Sequence, residues 1–137
     1  MTQVARGTFE VTLTTLPSTE QSQADCVGRM SIGKQFHGAL KATSLGEMLS
    51  AGTETRGSAG YVALERVNGS LHGRDGSFVL QHSGTMARGT GQLSVTIVPD
   101  SGTGQLVGIA GKMVIVIVDR KHSYEFGTCS PTLSDEA

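Results

Sequence analysis

Glu65, His82 and Tyr61 are the residues whose types could do chemistry together. A carboxylate beside an imidazole can hold, give up or accept a proton, and a phenol next to them adds a hydrogen-bond donor. Tyr61 and Glu65 lie four residues apart on one segment and His82 on another, and the two segments meet only if two strands pair. Tyr61 to His72 alternates apolar and polar residues, Gly73-Arg74-Asp75-Gly76 has the composition of a tight turn, and Ser77 to Met86 alternates again. Closing the hairpin over Gly73 to Gly76 sets Leu71 opposite Phe78, Gly69 opposite Leu80, Val67 opposite His82 and Glu65 opposite Gly84. Alternation then puts Tyr61, Ala63, Glu65, Val67 and Leu71 on one face with Phe78, Leu80, His82 and Met86. Asn68-Gly69 could itself be a turn, but the longer strands favour a bulge at Gly69.

That face is largely apolar, so a charge on it is costly unless paired, neutralised or wetted. Desolvation is expected to raise the Glu65 pKa and make it a proton donor or acceptor near neutral pH, with His82 as its partner and Gly84 leaving space beside it. Two other readings stand beside this one: a satisfied structural pair, or a bulge that turns Glu65 and Tyr61 outward. Lys34 is a further charge on an apolar face. It lies in the segment Arg29 to Thr43, where Met30, Ile32, Phe36 and Leu40 alternate with Ser31, Gln35, His37 and Lys41. With Lys34, the residues Phe36, Phe78, Leu80, Tyr124 and Phe126 are candidates to line a ligand pocket, although packing explains Tyr124 and Phe126 adequately. The opposite face carries polar Arg66, Asn68, Ser70, His72, Gln81 and Ser83, as expected for solvent, interrupted by Val62, Leu64 and Val79, as expected for a subunit contact. Glu47 and Arg56 are placed near turns, where exposed charges are commonplace.

The elements that must position these groups are strands. Thr8 to Leu13 is the first, and the polar run Pro17 to Asp25 reads as a loop. A turn is expected near Ser44-Leu45-Gly46, then Glu47 to Ala51, then a connection from Gly52 to Gly60. Leu93 to Val98 ends at Pro99, Asp100 to Gly104 connects, and an irregular piece from Gln105 to Gly111 follows. Met113 to Val118 is a continuous β-branched run, as expected of a strand covered on both faces. Asp119 to His122 turns it back into Ser123 to Phe126. Seven or eight short strands and 19 glycines in 137 residues predict an all-β domain. Closure would remove exposed edges, so the expected architecture is a small closed antiparallel barrel of about eight strands over residues 1–128, with a frayed tail at 129–137.

The formal net charge of −1 gives no field to attract a polyanion, so nucleic acid is not an expected partner. No segment has the length and apolarity of a membrane span or signal sequence, and the chain is expected to be cytoplasmic. Cys26 and Cys129 show no metal or redox spacing and are expected to be free thiols. Phosphate-loop, His-Glu-x-x-His and Gly-x-Ser-x-Gly motifs are absent, and Gly84 to Gly89 has no dinucleotide unit around it. The four histidines form no local metal motif. Neither cofactor nor metal is expected.

The blocks Gly28-Arg29-Met30-Ser31, Lys34-Gln35-Phe36-His37-Gly38, Gly46 to Ala51 and Gly57 to Tyr61 resemble a recurring pattern. So do Leu71-His72-Gly73-Arg74, Gly76 to Gly84 and Val98 to Gly104. Together they are similar to the uncharacterised bacterial family called domain of unknown function 3224, from about Ala5 to Phe126. The resemblance implies an eight-stranded barrel like those of allene oxide cyclase and dirigent proteins, which commonly form homo-oligomers and hold ligands inside. Gly102 to Gly111 also looks like a glycine-rich segment of that wider group. No catalytic residue comes with the resemblance.

Three functions are compatible with these residues. The first is a barrel that binds a small apolar or amphipathic molecule, with Tyr61, Glu65 and His82 fixing its polar end. The second is a cofactor-independent isomerase, cyclase or lyase in which Glu65 and His82 move a proton and Tyr61 donates a hydrogen bond. The third is a structural or interaction barrel with a filled core.

Overall fold

The computed structural model describes residues 2–17 and 27–131. Eight strands follow in chain order: β1 (Thr2–Thr15), β2 (Val27–Gly38), β3 (Leu40–Gly52), β4 (Ala59–Leu71), β5 (Arg74–Ala87), β6 (Thr90–Ile97), β7 (Ala110–Val118) and β8 (Lys121–Cys129). Each pairs antiparallel with the next, and β8 returns to β1, closing the expected barrel. Alternation decides the inside. Phe9, Phe36, Ala42, Val67, Phe78, Leu80, Val95, Met113 and Phe126 form one buried core, while their sequence neighbours point out. Among the described residues, no helix is long and apolar enough to cross a membrane.

The hairpins are tighter than composition predicts. β4 and β5 are joined by His72 and Gly73 alone, with φ of 49° and 79°. Two consecutive residues at positive φ make the turn whose twist matches paired strands. The same device recurs at Arg88-Gly89 and at Asp119-Arg120. Glu65 therefore lies opposite Leu80, Ala63 opposite His82 and Tyr61 opposite Gly84, a slip of four residues along β5 from the register expected of a Gly73-to-Gly76 turn. An even slip preserves faces, so the expected set of inward residues survives a misplaced turn. The β4–β5 ladder runs unbroken through Gly69↔Gly76. There is no bulge, and Glu65 stays inside.

Three other expectations change. Arg29 to Thr43 is two strands, divided at Gly38-Ala39, and Ser44-Leu45-Gly46 is not a turn but lies within β3. Glu47 is consequently mid-strand, exposed and paired with Arg29 at 2.8 Å. The run in β7 is not covered on both faces, because Val114, Val116, Ile117 and Val118 are exposed. β6 and β7 share a single register pair, Thr96↔Lys112. Cys129 closes β8, and Ser130 is buried within reach of Arg74 Nη1 at 3.2 Å. Residues 132–137 of the expected tail, Cys26 and residues 18–25 of the expected loop lie outside the described residues.

The two ends of the barrel are built differently. At one, the chain after β6 folds back against β5. Thr103 N–H donates to the Ser77 carbonyl at 2.8 Å, Ser77 N–H to Thr103 Oγ1 at 3.0 Å, and Val79 N–H to Ser101 Oγ at 3.0 Å. The contact is so close that a Cβ at Gly76 would sit 2.1 Å from the Thr103 carbonyl oxygen. A short 3₁₀ turn, Gly104–Leu106, then sets Leu106 and Ile109 into the core, where both are buried. At the other end, open among the described residues, Leu13, Met86, Leu93 and Ile117 occupy inward positions of their strands yet remain 46%, 47%, 47% and 61% exposed.

Candidate functional site

Between these ends sits a buried polar cluster. Lys34 on β2, Glu65 on β4 and His82 on β5 all face inward, because each alternates with buried apolar neighbours on its strand. One carboxylate oxygen, Glu65 Oε2, accepts from Lys34 Nζ at 2.7 Å and from His82 Nε2 at 2.7 Å. Side-chain exposures of 6%, 0% and 4% for Lys34, Glu65 and His82 exclude bulk water from both bonds. The Lys34 ammonium also lies 5.0 Å from the Phe9 ring centroid and 5.8 Å from that of Phe36, within cation–π range.

The electrostatics reverse the expected pKa shift. Burial pulls the Glu65 carboxyl upward, but the His82 hydrogen bond and the charge and hydrogen bond of Lys34 outweigh it and hold the group at about 2, below its ordinary 4.5. Glu65 is an ionised acceptor near neutral pH, so His82 Nε2 carries the shared proton. The other oxygen, Oε1, is buried and has no hydrogen-bond partner among the described residues. Neither has Ser44 Oγ, which follows the same inward pattern on β3 between Ala42 and Gly46. An unpaired buried acceptor costs about 1–3 kcal/mol, and more when charged.

Tyr61 is half-buried nearer the open end. Its ring lies over Gly84, where a Cβ would come within 2.5 Å of it, and 6.3 Å from the His82 ring. Burial, and then the negative charge of Glu65, push the Tyr61 phenol pKa up. The phenol therefore stays protonated and able to donate.

The remaining candidates divide from this group. Phe36, Phe78, Leu80 and Phe126 are 0–2% exposed and belong to the packed core, with Phe78 and Phe126 ring centroids 5.6 Å apart. The Tyr124 hydroxyl donates to the His37 carbonyl at 2.8 Å and accepts from Leu40 N–H at 3.0 Å, tying β8 to the β2–β3 turn. Arg56 is exposed. On the outer surface, Arg29, Glu47, Leu49, Val62, Leu64 and Gln81 are among the walls of a groove of about 540 Å³. Sequence reasoning missed Ser44, because the expected turn falls on it, and, although it set Met86 inward, missed that inward Leu13, Met86, Leu93 and Ile117 stay exposed at the open end. Continuing the alternation Leu40, Ala42, Ser44, Gly46, Met48 would have found Ser44.

Comparison with known proteins adds a family and a relative. A family model described as "Protein of unknown function (DUF3224)" matches residues 5–127. None of the curated proteins compared is similar to this chain. A crystal structure at 1.84 Å resolution, of a protein with unknown function from the DUF3224 family of Shewanella oneidensis MR-1, is similar at 46% identity and a TM-score of 0.90. The match covers 96% of this chain and 99% of that one.

Proposed function

The chain belongs to the DUF3224 family, whose description assigns no activity, and from the geometry we propose that it is a barrel that binds a small, largely apolar molecule at its open end. The observation that carries this reading is the exposure of Leu13, Met86, Leu93 and Ile117 at inward positions. Apolar side chains that point into a barrel and still meet solvent gain from a ligand that covers them. An eight-stranded barrel is wide enough to hold one small ligand. Tyr61 and the buried triad supply polar groups beneath this mouth. The low pKa of Glu65 favours binding over proton transfer, because a carboxyl held near 2 is no general acid at neutral pH and only a weak base.

Titration with phenylnaphthylamine, a neutral apolar fluorophore, tests the reading; the chain has no Trp to obscure the signal. The wild type should bind it. Leu93→Lys and Ile117→Lys should each weaken binding by about tenfold or more, equivalent to 1.4 kcal/mol. Leu45→Lys, at an outward position that is 77% exposed, should leave it unchanged. A wild type that binds neither this probe nor a broader set of apolar compounds would leave a barrel that is simply filled.

A further inference from the structure

Two polar atoms in the interior, Glu65 Oε1 and Ser44 Oγ, are buried without a partner among the described residues. They lie on adjacent strands: Glu65 is opposite Gly46, two residues along β3 from Ser44. Glu65 Oε1 can only accept. Resting on the open-end reading above, we infer that the ligand is a neutral molecule with a hydroxyl on an apolar body, a medium-chain alcohol being the simplest. Its hydroxyl donates to Glu65 Oε1 and accepts from the Ser44 hydroxyl.

The charges around the two atoms select this class. An anionic head would have to approach an ionised carboxylate, and Lys34, the buried lysine beside it, already donates to Glu65 Oε2 and lies against the faces of Phe9 and Phe36. A cationic head would crowd a second positive charge against Lys34 in a space closed to water. A neutral hydroxyl satisfies Oε1 without either repulsion. The wall between the mouth and Glu65 suits a ligand that must push inward. Register places Met30, Met48 and Ala63 in one row across β2, β3 and β4, and Ala63 is the inward residue between Tyr61 and Glu65. Methionines are unbranched and re-pack readily, and alanine occupies little of the path.

Octanol, octylamine and octanoate share one apolar tail and differ in the head, so their displacement of phenylnaphthylamine from the full chain tests the inference. Octanol should bind about tenfold tighter than octanoate and also tighter than octylamine. Ser44→Ala leaves the charged triad intact and should weaken octanol about threefold to tenfold while leaving octanoate unchanged. Glu65→Gln replaces an acceptor-only group by one that also donates and should narrow the octanol preference. Should that variant fail to fold, Ser44→Ala still decides the matter. Tightest binding by octanoate or octylamine, equal binding by all three, or a preference untouched by Ser44→Ala would overturn the head-group inference while leaving the open-end reading in place. Failure of every apolar compound to bind would defeat both.

Discussion

The closed and open ends of this barrel use the same raw material, inward-pointing apolar side chains, and reach opposite results. At the closed end the segment after β6 is fastened to β5 by Thr103 and Ser101, and it carries Leu106 and Ile109 down to 1% and 2% exposure. At the open end Leu93 and Ile117 occupy equivalent inward positions and keep about half their surface in water. An inward position is therefore not the same as burial. Among the described residues it becomes burial where another segment covers the layer. The single β6–β7 register pair, Thr96↔Lys112, lies toward the closed end, and no pair between these strands follows it toward the open end.

If one end is core and the other a site, changes at the two ends must separate stability from binding. The largest effect is expected at the boundary between them. Glu65→Ala leaves the Lys34 charge buried without its partner and should cost about 3–5 kcal/mol in urea unfolding. Combining it with Lys34→Met removes the stranded charge and should recover much of that loss; a double variant as unstable as the sum of the singles would contradict the pairing. Next, Leu106→Ala should cost about 3 kcal/mol by opening a cavity at the closed end, with no change in fluorophore affinity. A loss of affinity there would erase the distinction between the ends.

Acid supplies a third, slightly smaller test. Because the folded pKa of Glu65 lies below its ordinary 4.5, its contribution is fully present above that value and is lost as pH falls through about 2. Roughly 2–3 kcal/mol should disappear across this interval. Unfolding midpoints measured along it should fall for the wild type and stay flatter for Glu65→Gln. Smallest of all, Leu93→Ala and Met86→Ala should change stability by less than about 1 kcal/mol yet lower fluorophore affinity several-fold.

How much of this was legible in the sequence depended on parity. The inward set on β4 and β5 was readable because alternation survives any even slip, so a hairpin turn misplaced onto Gly73 to Gly76 still brought Glu65 and His82 to one face. Ser44 was not readable once a turn was assigned to Ser44-Leu45-Gly46, since a turn resets the alternation. The direction of the Glu65 pKa shift was not readable either. Burial alone raises it, and the reversal needs two donors from different strands on one oxygen at 2.7 Å. The exposure of β7 was hidden because a run of β-branched residues looks the same whether or not its outer face, here Val114, Val116 and Val118, is covered.

The central claim, that ligand occupies the open end, is tested most directly by the methionine methyl groups. Met30, Met48 and Met86 lie toward that end, and Met113 is 4% exposed within the core beside Phe126. Nuclear magnetic resonance of methyl-labelled methionine during titration with octanol should show Met30, Met48 and Met86 shifting in step with saturation while Met113 stays in place. Shifts confined to Met113, or saturable binding that moves none of the three mouth methionines, would contradict the account.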